Sequence, residues 1–110
     1  MDVKIGDLRD RITVERPARS QHPSTGETLI EWEPVHIGLP ARIEASQTEQ
    51  ENARKETRAT RYSVTIRFRA DMLNQTDWRL IIDGESCQIT GAIDPNRKRR
   101  WLVITATGLS

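Results

Sequence analysis

Two histidines, one cysteine and sixteen carboxylates are the residues of this 110-residue chain that could carry acid–base, nucleophilic or metal chemistry. Their spacing assembles none of it. His22 falls in a turn-rich stretch and His36 beside a strand end, and neither has a second ligand at helical or strand spacing, so no metal site is expected. Cys87 alternates with Ile89 as a small buried hydrophobe would. A Cys–His nucleophile pair would have to be assembled by the fold, and no Gly-rich turn beside Cys87 supports one. The six glycines are scattered singly, so no loop cradles phosphate. Glu49 and Glu51 lie in a polar stretch where water keeps carboxylates ordinary, whereas catalysis needs perturbed ones. We expect no catalytic residue, no metal and no cofactor.

Charge offers more. Arg97-Lys98-Arg99-Arg100 is the one concentrated run, read either as phosphate or partner contacts or as a hairpin tip kept soluble by charge. Arg67 and Arg69 are either solvated or paired with acids of a neighbouring subunit. The formal charge of +1 argues against a protein that coats DNA. Trp32, Trp78 and Trp101 could stack bases, but Tyr62 and Phe68 fall in phase with Val64 and Ile66 and so belong to a core. One cysteine excludes an intrachain disulfide and a cysteine-cluster zinc site. No apolar run approaches the roughly 20 residues that span a bilayer, and Met1 to Asp10 has no signal core, so a soluble protein without a standard export signal is expected.

The elements behind these residues are strands. Tyr62, Val64, Ile66 and Phe68 alternate with Ser63, Thr65, Arg67 and Arg69, the two-residue period of a strand with one buried face. Ile12 and Val14 repeat it. Ser20 to Glu27 reads as a turn, Ile30 and Trp32 begin a strand that Pro34 interrupts, and Leu39, Ala41, Ile43 and Ala45 make another, with Pro40 implying an edge or a bulge. Asp83-Gly84 between Trp78–Ile82 and Ser86–Ile93 is a hairpin signal. Trp101 to Thr107 is a last strand, and Ala70 to Asp77 has room for one helical turn. The predicted fold is all-β, a small antiparallel barrel or sandwich of six to seven strands. It is expected to form one domain over 1–110, with a core of Ile12, Val14, Trp32, Ile43, Tyr62, Val64, Ile66, Phe68, Ile89 and Val103 or Ile104. One long polar segment, 46–60, interrupts it. Its only apolar residues are Ala53 and Ala59, so it cannot dock on a core as a helix. Segments of this kind are usually functional or disordered. Glu49, Glu51 and Glu56 could meet Arg54, Lys55 and Arg58 of an adjacent copy.

The opening Ile5-Gly6-Asp7-Leu8-Arg9-Asp10-Arg11-Ile12-Thr13-Val14-Glu15-Arg16-Pro17 resembles the start of phage head-tail joining proteins, also called head-closure or head-completion proteins. The likeness continues through Gly26 and Trp32, Ala41-Arg42-Ile43, Val64 to Arg69, and Asp83-Gly84 to Ile89. It departs at Leu39-Pro40 and Cys87, where the family often has aromatics. The resemblance implies a β-barrel structural protein that forms a homo-oligomeric ring at the head–tail interface of the virion after passing through the host cytoplasm. Its implied partners are a portal or adaptor protein, a tail or tail-terminator protein, and double-stranded DNA held in the lumen without sequence specificity. No catalytic residue and no membrane contact come with it. A nucleic-acid-binding barrel using Arg97 to Arg100 is the alternative, and a small hydrolase is a distant third.

Overall fold

The protein, seen as a computed structural model, is described over residues 4–21, 23–52 and 55–109. Six strands form one antiparallel sheet: β1 (Asp10–Gln21), β2 (Thr28–Asn52), β3 (Lys55–Arg67), β4 (Arg79–Ile82), β5 (Glu85–Ile93) and β6 (Trp101–Leu109). Their spatial order is β1-β2-β3-β6-β5-β4. Pairing of Thr13–Glu15 with Arg79–Ile81 returns the sheet to β1 and closes a barrel, which decides between the two expected architectures. Among the described residues helix is limited to 3-10 turns at Ile5–Asp7 and Ala70–Met72. Because neighbours alternate in direction, the β1–β2 and β5–β6 turns and the end of β3 share one end of the barrel. The β2–β3 and β4–β5 turns share the other.

Alternation explains the interior. Ile12, Val14, Val64, Ile66, Leu80, Ile82, Ile89, Leu102, Ile104 and Ala106 all point inward and are buried. Ile43, Tyr62 and Phe68 are half-buried against them, as expected. Of the Val103 and Ile104 pair, Ile104 is the inward residue. Met72, carried in by the second 3-10 turn, is fully buried, although its local sequence has no strand period.

Trp32 is not core. It lies opposite Pro17, past the last β1–β4 pair, Glu15↔Arg79, and so outside the closed wall. Its indole is covered by the Arg79 guanidinium, 4.2 Å from the ring centroid. Nor does Pro34 break the chain: β2 runs 25 residues as one strand. The register slips just beyond Pro34, since Glu15 faces Pro34, Val14 faces His36 and Ile12 faces Leu39, whereas Pro40 pairs with Arg11 in regular register. One extra residue of β2 enters at each step, and Gly38 takes a positive φ of 67° there, a bulge geometry glycine adopts without strain.

A further bulge lies in β5, where Ile89 faces Ala106 but Gly91 faces Thr105. The extra residue, Thr90, reverses the alternation. Ala92 turns inward, and Ile93 is left 60% exposed on the outer wall.

Ile82 pairs with Glu85 across Asp83-Gly84, whose φ angles of 50° and 82° make the type I′ turn that this dipeptide favours. At Gly84 a β-carbon would meet no neighbour but would be held in a left-handed backbone. Gly84→Ala is therefore expected to cost about 1–2 kcal/mol, read as a lower urea midpoint with an unchanged slope.

Candidate assembly surfaces

Two hairpin arms leave the barrel. The first is the continuation of β1 and β2 beyond the closing pairs, Arg16 to Gln21 against Thr28 to Glu33. Residues directly opposite share a face. One face carries Ala18, Ser20, Leu29 and Glu31, with Arg16 and Glu33 joined at 3.3 Å. The other carries Pro17, Arg19, Ile30 and Trp32, anchored at its base by Arg79, whose Nε donates to Glu15 Oε1 at 2.7 Å. Leu29 and Ile30 are 39% and 56% exposed, costly positions for aliphatic side chains that no neighbour among the described residues covers.

The second arm is the polar segment 46–60. It is a β-hairpin: Ser46↔Arg61 through Asn52↔Lys55 stay in unbroken register. Pairing of β3 with β6 ends at Ala59↔Leu109, so Glu49–Asn52 and Lys55–Arg58 extend as a ribbon of two strands. Glu49 lies opposite Arg58 and Glu51 opposite Glu56. Arg54, like His22, falls outside the described residues.

The first arm's end of the barrel is strongly basic. The β5–β6 turn holds Arg97, Lys98, Arg99 and Arg100, all exposed, with Arg97 and Arg99 at positive φ. Asp94 organises it: its carboxylate accepts from the Arg99 N–H at 2.9 Å. Phe68 N–H donates to the Arg100 carbonyl at 3.1 Å, which ties the turn to the end of β3. There Arg67 and Arg69, with Arg11 of β1 and the apolar Leu8, Leu39 and Pro40, line a cleft of about 490 Å³. Among the described residues none of these seven basic side chains forms an ion pair. The overall balance of charge thus conceals a local concentration of positive charge.

The family model described as phage head completion protein matches residues 3–108. The chain belongs to this family. Its members serve the phage head as structural proteins, which agrees with the likeness read from the opening residues. No curated protein sequence matches this chain. A solved chain from "Virion of native gene transfer agent (GTA) particle" has the same fold, with a TM-score of 0.69 and 15% identity over 92% of this chain and 94% of that one.

His36, Cys87 and Glu85 make packing and hydrogen-bonding contacts. His36 Nε2 lies 2.8 Å from Asp71 Oδ2, which pins the second 3-10 turn to β2. Among the described residues no three His, Cys, Asp or Glu side chains converge. Cys87 is buried in the barrel, and burial, then the neighbouring Glu85 carboxylate, push its thiol from the usual 9.0 up to about 11. Burial and a hydrogen bond donated to Glu85 Oε2 at 3.0 Å likewise raise the Tyr62 phenol. Glu85 Oε1 lies against Gly108, where a β-carbon would collide with it. Both raised groups hold their protons more tightly when folded. Stability should therefore be unaffected by them below the ordinary thiol value and fall as pH rises from about 9 to about 11. Urea midpoints across that range, compared with Cys87→Ala, measure the thiol's share.

Sequence reasoning flagged the basic turn and the polar segment, but it missed the first arm and the cleft. Ile30 and Trp32 alternate as core residues would. Arg11, Leu39 and Arg67 come from three strands and become neighbours only through the barrel's register.

Proposed function

We propose that this chain is a non-enzymatic, single-domain connector subunit. It forms a ring at the head–tail interface of the virion, receives a portal or adaptor protein on one side and a tail or tail-terminator protein on the other, and helps retain packaged DNA. Before assembly it resides in the host cytoplasm. The observation that carries this reading is the pair of hairpin arms at opposite ends of one closed barrel. Membership of the head completion family and the virion origin of the structural neighbour support it. In the ring the second hairpin, with Glu49, Glu51, Arg54, Lys55, Glu56 and Arg58, faces a neighbour or the lumen. The turn Arg97–Arg100 faces phosphates or a partner.

Heads assembled without the protein should be filled, tailless and leaky to DNA, and adding purified protein should restore tails and nuclease-resistant DNA. Failure of folded protein to restore either overturns the reading. The basic end favours one second reading, a nucleic-acid-binding module. That reading requires the isolated protein to bind duplex DNA with an affinity that falls steeply with salt.

A further inference from the structure

The first arm and the arginine cleft are complementary, yet within one molecule they cannot meet. Arg11 and Ala18 lie on the same strand, and their seven-residue separation amounts to about 23 Å of extended chain. The cleft offers an apolar floor of Leu8, Leu39 and Pro40 under three arginines without carboxylate partners among the described residues. One face of the arm offers Leu29 beside Glu31, which has no ion pair of its own among those residues, while Arg16 on that face is already neutralised by Glu33. Glu27 follows at the tip, and the β2 side of the arm from Glu27 to Glu33 contains three acids and no base.

We propose that the first arm of one subunit seats in the arginine cleft of the next copy, with Leu29 on the apolar floor and Glu31 among Arg11, Arg67 and Arg69. This rests on the ring reading above and supplies its contact. The geometry suits it. Six residues of arm beyond the barrel wall reach about 20 Å, close to the molecule's shortest dimension of 24 Å, so the tip arrives at an adjacent copy. An arm and a cleft on different parts of the surface make a head-to-tail contact, the kind that repeats into a ring when its rotation closes. Leu29 loses its exposure to water, and three unpaired arginines gain a carboxylate.

A chain carrying Ser20→Cys and Pro40→Cys tests this with a thiol-to-thiol crosslinker. Cys87, fully buried, stays out of the reaction. Both purified protein at high concentration and protein in assembled particles should give a ladder of dimers, trimers and longer products. Arg67→Glu with Arg69→Glu should reduce the ladder at least tenfold, and adding Glu27→Arg with Glu31→Arg should restore it. No ladder in normally tailed particles overturns the arm contact while leaving the connector function intact. A ladder indifferent to the charge changes overturns it as well, as does a ladder displaced by short duplex DNA at low salt, which would assign the cleft to phosphate. If the protein never enters particles, the connector reading fails, and the charge-swapped ladder in solution still decides the contact.

Discussion

Ile66→Ala should lower the unfolding free energy by about 2–5 kcal/mol, the range for removing most of a buried aliphatic side chain from a core that only partly collapses. Ile66 has no exposed surface, faces Leu102 across β3 and β6, and belongs to the same core cluster as Ile12, Leu80 and Ile104. For a chain of this size the loss lowers the thermal midpoint by roughly 10 °C or more. Ile93→Ala makes the control. The same residue type, 60% exposed, should change stability by less than about 0.5 kcal/mol. Chemical denaturation of the two variants in parallel checks this. A cost at Ile66 below about 0.5 kcal/mol would mean that the inward face of β3 has been assigned backwards.

Removing the second hairpin should have the opposite signature, abolishing function while sparing the fold. Thr48 and Ala59 are directly opposed, and Ala59 is the last residue of β3 paired with β6. Excising Glu49 to Arg58 and joining the ends through Asn-Gly therefore leaves every barrel ladder in place and closes the ribbon with a type I′ turn. The excised residues include one apolar side chain, Ala53, so the melting temperature should stay within about 2 °C, because little apolar area is lost. Head–tail joining, counted as tailed, DNA-filled particles in a complementation assay, should fall by at least a hundredfold. Normal yields from the shortened protein would show the hairpin to be dispensable.

Local pattern made the barrel wall legible. The strand through Tyr62 and Phe68 could be read from its period, and the Asp83-Gly84 turn from the φ angles that the dipeptide tolerates. What pattern cannot carry is the point at which a strand leaves the wall. Ile30 and Trp32 alternate as well as Val64 and Ile66 do, but only the latter lie where a third strand covers them. Bulges are hidden for a related reason: nothing at Thr90 announces an extra residue, and the Cys87–Ile89 alternation, continued unbroken, would carry Ile93 inward, whereas it lies outside. The polar segment was legible as an excursion because it had nothing to bury. Its hairpin form depends on cross-strand register, which its charges alone leave open.

β2 passes without a break from the first arm, through the wall, into the second. The two protruding ends of the molecule are thus two ends of one length of backbone, with no intervening loop to absorb a rotation. The bulges around Val35 and Gly38 fix the angle between them. In a closed assembly, clamping one end of each subunit would set the bearing of the other, and the far hairpins would converge or splay in concert. Opening of the channel would then be a property of the whole circle, governed by how tightly its members grip one another, with no separate hinge in any of them.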